Sequence, residues 1–298
     1  MPDLRDMQLI TALARQRHFA RAAEECGISQ PAFSARIRNL EHELAVPIVK
    51  RGNRFMGFTR EGEIALKWAQ RLLSDAEGLR QEISLAREAL SARLALGAVP
   101  TALAYVAQVP ARLRARHPDI SVQIYSMTAA QIHRGLEDFS VDAGITYLDH
   151  ELPASLRAEP LYDERYVLFA PVALAPRLSG EVSWAEAAAL PLCLLTRNMR
   201  NRRILDEIFA TVLGHVPEPV LETNAFTAAL AQVASGVAAT IAPEVLADRL
   251  PLTTGAVRLS LPEPVVPIPV GLVLAERDPA PPAVIALREA LHAPEPPS

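Results

Sequence analysis

Within Ser29-Gln30-Pro31, Ser34, Arg36 and Arg38 the sequence gathers side chains suited to reading nucleic acid. Glutamine matches the edge of adenine, serine adapts to several partners, and arginine suits guanine or phosphate. Arg51 and Arg54 flank Gly52-Asn53 further along, and arginines on such a turn touch backbone phosphate, which fixes register without reading sequence. A second set closes apolar runs: Pro100 and Thr101 with the adjoining Ala102, Thr128, Thr146, Thr196 with Asn198, and Asn224 with Phe226. Hydroxyl and amide groups at strand-to-helix junctions either cap the helix or hold a small ligand beside its N–H groups. No G-x-G-x-x-G, P-loop, G-x-S-x-G or H-E-x-x-H pattern is present, so neither enzyme activity nor a cofactor is expected. Cys26 and Cys193 stand far apart with no Cys/His cluster, which argues for ordinary core thiols and against a metal site or disulfide.

Helices must position the first set. Leu4, Met7, Ile10, Leu13 and Ala14 recur at spacings of three and four, the mark of an amphipathic helix. A second helix spans about Phe19 to Cys26 and ends at Gly27. Ser29 as cap and Pro31 in the first turn start a third, which runs to about Leu44 with Phe33, Ile37, Leu40 and Leu44 inward. Helix, Gly-containing turn, helix is a helix-turn-helix. After Pro47, Val49 to Phe58 reads as a small hairpin around Gly52-Asn53. Thr59 then caps a long helix to about Leu90, whose stripe of Leu66, Leu73, Leu79, Ile83 and Leu90, with Trp68, Leu72 and Ala76 alongside, requires a packing partner.

Phe19-Ala20-Arg21-Ala22-Ala23, Ile28-Ser29-Gln30-Pro31-Ala32-Phe33-Ser34 and Ile37-Arg38-Asn39-Leu40-Glu41 together resemble the signature of LysR-type transcription regulators. One departure is Met56-Gly57-Phe58, where such proteins usually carry a more basic or β-branched strand. The resemblance implies double-stranded DNA as partner, pairing of the long helix with that of a second subunit, and a homodimer or homotetramer on an inverted-repeat operator.

Beyond about Ala92, apolar runs at 94–99, 122–127, 142–147, 166–170, 192–195, 220–222, 239–241 and 270–275 alternate with helical patterns near 101–117, 129–139, 199–213, 225–236 and 281–292. Such alternation argues for parallel sheets with ligands beyond the strand ends. The resemblance implies a sensor similar to type 2 periplasmic binding proteins. The expected fold is therefore α/β, with an N-terminal winged helix-turn-helix over 1–58, a linker and dimerisation helix over 59–91, and an effector domain over 92–298. Its lobe I would hold 92–161 and 268–298, and its lobe II 162–267. Leu192-Cys193-Leu194-Leu195-Thr196 leading into Asn201-Arg202-Arg203 resembles regulators found beside formate dehydrogenase genes, which implies formate as effector, with other small carboxylates as the alternative. In the basic run Arg197 to Arg203, helical spacing pairs Arg202 with Asp206 and Arg203 with Glu207.

Charge fits a DNA-binding head on a different body. Residues 1–58 carry nine Arg/Lys against six acids, net +3, whereas the rest of the chain is net −7. No apolar run is long enough to cross a bilayer, and charges interrupt the first ten residues, so a cytoplasmic protein without a membrane partner is expected. A solute-binding protein is the main rival class, and the basic head counts against it.

Overall fold

The computed structural model describes residues 1–50, 54–87, 89–148, 152–175, 180–247, 255–262 and 268–293. Met1–Leu90 forms one unit, and Ser91–Asp278 with the chain from Ala283 forms another.

In the first unit α1 (Leu4–Gln16), α2 (Phe19–Glu25) and α3 (Gln30–Leu44) pack around Met7, Ile10, Leu13, Ala22, Phe33, Ile37 and Leu40. Asp3 starts α1 with a capping box to Asp6, and Gly27 makes the turn before α3 at φ +66°, where a side chain would be strained. Ser29 caps α3 by accepting from the Ala32 N–H. Val49 pairs with Phe58 in an antiparallel bridge, the root of the expected hairpin. Glu41 fixes that root, its carboxylate accepting from the Ile48 and Val49 N–H groups at 2.8 and 3.0 Å.

Thr59 caps α4 (Arg60–Leu85), which stops short of the expected Leu90; Leu90 lies buried beyond the helix. Two stripes share α4 where the sequence suggested one. Leu66, Ala69 and Leu73 pack into the helical core, whereas Ile64, Trp68, Leu72, Leu79 and Ile83 follow a separate, exposed face. Gly62 lies against the backbone of Ile48, where an added Cβ would sit 2.0 Å from the carbonyl oxygen. Backbone cannot rotate away as a side chain can.

The second unit has two lobes. The first holds a five-stranded sheet in the order β2-β1-β3-β10-β4, from β1 (Ala92–Ala98), β2 (Ile120–Ser126), β3 (Ala143–Tyr147), β4 (Leu156–Asp163) and β10 (Pro269–Ala275). A 3₁₀ turn (Pro100–Ala102), α5 (Leu103–Val106), α6 (Val109–Arg116), α7 (Ala129–Glu137) and α12 (Pro282–His292) complete it. The second lobe has an antiparallel sheet β8-β5-β9 from β5 (Tyr166–Pro171), β8 (Thr240–Pro243) and β9 (Ala256–Ser260), and a parallel pair, β6 (Cys193–Leu195) with β7 (Leu221–Thr223). Its helices are α8 (Trp184–Ala188), α9 (Arg200–Leu213), α10 (Phe226–Ala234) and α11 (Glu244–Ala247).

The expectation of parallel sheets is corrected. Strands β1, β2 and β3 are parallel, but β10 runs against both β3 and β4, and β5 runs against β8 and β9. The chain crosses between lobes twice, and strands arriving from the far lobe enter reversed. The two crossings meet where the Glu164 N–H donates to the Ile268 carbonyl at 2.8 Å.

Gly62→Ala is expected to cost about 3 kcal/mol, the upper end for overpacking against rigid backbone. A lowered urea midpoint by circular dichroism would register it; an unchanged midpoint would contradict this packing.

Candidate functional site

Two places gather polar side chains, one in each unit. In the first, Gln30, Ser34 and Arg38 lie four residues apart along α3 and so share a face, with Pro31 exposed beside them. Gln30 and Arg38 are exposed and Ser34 is half-buried. Arg36 points elsewhere, which corrects its assignment to this row. Its guanidinium bonds Asp6 at 2.8 Å and Asp3 at 3.0 Å, joining α3 to the start of α1. Those carboxylates hold the charged form of Arg36 and raise its already high pKa, while the Asp3 carboxyl is lowered by backbone N–H donors and by Arg36. Arg54 is exposed after the hairpin root, and Arg51 falls outside the described residues.

In the second unit a cleft opens between the lobes, with about 220 Å3 of unfilled space counting the part open to solvent. Val99, Pro100, Thr101, Thr128, Ala129 and Tyr147 line it from the first lobe, and Leu195, Met199, Arg200 and Asn201 from the second. Tyr147 and Leu195 end β3 and β6, and the others lie at the starts of the 3₁₀ turn, α7 and α9. Helix α9 begins with no side-chain cap, so its first N–H groups carry the positive end of a 14-residue helix. Arg200, on its first turn, brings a guanidinium that is 11% exposed and bonds Glu207 at 2.8 Å.

Behind this wall lies a buried polar chain centred on Glu164, which is 2% exposed. Tyr147 and Tyr166 both donate to its Oε1, at 3.0 and 2.7 Å. Thr101 shares a 2.9 Å hydrogen bond with the Tyr147 hydroxyl, and the Asn201 amide donates to Tyr166 at 3.4 Å. Burial penalises the carboxylate and pushes the Glu164 pKa up to about 7, although these donors pull it down. Burial first, and the nearby Glu164 charge second, raise the Tyr147 and Tyr166 phenols well above their ordinary range. Glu164 Oε2, Asn201 Oδ1 and Thr146 Oγ1 are buried without a hydrogen-bond partner among the described residues.

Of the expected effector residues, Pro100, Thr101 and Thr128 reach the cleft wall. Thr128 is also committed to its own helix, its hydroxyl accepting from the Gln131 N–H. The others do not line it. Ala102 and Thr146 are fully buried, Phe226 belongs to the core of the second lobe, and Asn224 is exposed. Thr196 spends its hydroxyl on exposed Asn198. In the basic run the expected pair of Arg202 with Asp206 is present at 2.7 Å, whereas that of Arg203 with Glu207 is replaced. Arg202 is fully buried and binds Asp206, Glu222 and the Leu195 carbonyl, tying α9 to β6 and β7, while Glu207 pairs with Arg200 in place of exposed Arg203.

Tyr147, Glu164 and Tyr166 are not among the expected site residues, and Arg200 and Asn201 enter only as members of the basic run. Asp163-Glu164-Arg165 before the apolar run of β5 reads as a solvated turn, and only the meeting of the two crossings buries its middle residue.

The family model for the LysR substrate binding domain matches residues 87–294, and that for the bacterial regulatory helix-turn-helix protein of the lysR family matches 4–63. The hydrogen peroxide-inducible genes activator of Haemophilus influenzae is 29% identical over 206 residues, which are 69% of this chain and 65% of that protein. Matches to further peroxide activators take in about half of their length. The HTH-type transcriptional activator IlvY of Salmonella typhimurium is 27% identical over 261 residues, 84% of this chain and 85% of the relative. A full-length OxyR variant from Pseudomonas aeruginosa shares the fold, with a TM-score of 0.77 at 24% identity over 98% of this chain and 95% of that one. With a helix-turn-helix head and a two-lobed sensor both matched by the family's models, the chain belongs to the LysR family of bacterial regulators.

Proposed function

We propose that this chain regulates transcription by binding double-stranded DNA through α3 and the hairpin, under control of a small anion held between the lobes of the second unit. The row of exposed Gln30, half-buried Ser34 and exposed Arg38 on a helix with a capped start carries the DNA reading. A helix presenting such a row in the major groove meets base edges with its first turns, while Arg54, after the hairpin root, serves phosphate. The exposed stripe Ile64, Trp68, Leu72, Leu79 and Ile83 is the surface for a second α4, which makes a dimer and sets two recognition helices on an inverted repeat.

For the effector, charge and size decide. The uncapped start of α9 faces the cleft, and Arg200 adds a cation there, a combination that favours a negatively charged ligand. Little unfilled space suits a molecule of few heavy atoms. Formate, the smallest carboxylate, is the first probe, and acetate and longer carboxylates follow. Its support is this size and charge, since the residues resembling formate-linked regulators are spent on packing: Cys193 to Leu195 are buried and Arg202 is tied to Glu222 and Asp206.

Relatives named for peroxide induction raise a thiol-oxidation reading, which the cysteines here do not favour. Peroxide attacks an accessible thiolate of lowered pKa. Burial raises both thiols of this chain, and Cys193 is wholly enclosed.

Gln30→Ala is expected to relax preference at one operator position by about 1–3 kcal/mol, whereas Arg54→Ala weakens all sequences alike. Uniform weakening by both in fluorescence anisotropy would count against the reading face. Leu79→Glu with Ile83→Glu should yield a helical monomer in sedimentation; an unchanged dimer would place the interface elsewhere. A carboxylate at 100 times its Kd should stabilise the chain by about 2.7 kcal/mol in thermal shift. If none from formate to succinate raises the melting point, the anion assignment is lost.

A further inference from the structure

Glu164 occupies an unusual place for a carboxyl group. It lies where the two inter-lobe crossings meet, its N–H bound to the Ile268 carbonyl, and its side chain is sealed from solvent. Only one of its oxygens is satisfied; Oε2 is buried without a partner among the described residues. An ionised carboxylate leaves that oxygen's lone pairs uncompensated, whereas a protonated one carries its hydrogen there and lowers the cost of burial.

Among the described residues no cation bonds the Glu164 carboxyl, and Arg200 on the cleft wall is paired with Glu207. Facing Glu164 are Tyr147 from β3, Tyr162 from β4, Tyr166 from β5, Thr101 from the 3₁₀ turn and Asn201 from α9, all neutral near pH 7. Three of these, Thr101, Tyr147 and Asn201, are also walls of the cleft. Glu164 is thus one hydrogen bond behind the place where an anion would sit. Two negative charges enclosed this closely in a poorly solvated site disfavour one another, and the one free to take a proton does so.

From this geometry we infer that the cleft takes up its anion together with one proton, and that Glu164 carries it. The inference rests on the anion reading above and adds a regulation to it: effector strength is tied to pH. Without ligand the Glu164 pKa is about 7, so near and above neutrality much of the population is ionised and must be protonated as the anion enters. Below that value the proton is already present and affinity is flat. Above it, affinity falls, at the limit by about tenfold per pH unit. Glu164→Gln keeps an acceptor for both tyrosines and abolishes the titration.

Calorimetry of the full chain with sodium formate, and with sodium acetate in parallel, at pH 8 in two buffers of different ionisation enthalpy counts the protons directly. The inference expects net uptake approaching one proton per anion by the parent, and none by Glu164→Gln, whose affinity is level from pH 6 to pH 8. Melting curves verify that the variant folds; Tyr166→Phe is the second variant, because loss of a donor raises the Glu164 pKa further, so the fall in affinity starts at a higher pH and uptake at pH 8 is smaller than in the parent. Binding without proton uptake by the parent, or uptake that persists in Glu164→Gln, overturns this inference and leaves the anion reading standing. No heat from either salt, with no thermal shift across the carboxylate series, overturns both.

Discussion

Two strands of chain pass between the lobes of the sensor, and a backbone hydrogen bond from Glu164 to Ile268 ties them at the joint. Much of the second unit follows from that crossing. It reverses β10 within an otherwise parallel sheet, it encloses a carboxyl group that sequence would leave in solvent, and it brings Tyr147 and Tyr166 from different lobes onto one oxygen. Helix starts then face each other across the cleft because strands of both lobes end there. A ligand bridging such walls alters the relation of the lobes only through unequal affinity for their arrangements, and groups reaching from cleft to joint are where that inequality arises.

The first unit obeys a different constraint, close backbone packing. Gly62 against Ile48, Glu41 on the hairpin root and Arg36 on Asp3 and Asp6 fix α4, the hairpin and α1 relative to α3. Side chains used in this way are unavailable for DNA, which leaves Gln30, Ser34 and Arg38 as the row that faces outward. A rigid frame matters because base recognition discriminates through hydrogen-bond geometry, and a loosely held helix would discriminate less.

Local signals in the sequence carried the head well. Ser29 and Pro31 mark the start of α3, Gly27 the turn before it, and Phe33, Ile37 and Leu40 its inner face, because each depends on neighbours within a few residues. Strands β1, β2, β3, β5 and β10 were equally legible as apolar runs. Others were not: β4 alternates charged and half-buried residues and contains a proline, and β9 is short with an arginine at its centre. Site residues fared worse, since a threonine that caps a helix and one that faces a cleft look alike in sequence. Thr101 and Thr128 reached the wall, whereas Thr146 and Thr196 at equivalent junctions did not. Glu164 was hidden for the same reason that it matters: its burial is created by segments about a hundred residues apart.

The account's central claim, that α3 reads DNA from a symmetric dimer, is met most directly by selecting bound sequences from a random double-stranded pool with the purified full chain. Enrichment of an inverted repeat, with half-sites spaced by about one helical turn or a multiple of it, is the predicted result. Recovery of sequences with no shared motif, or of a single unsymmetrical half-site, would contradict it.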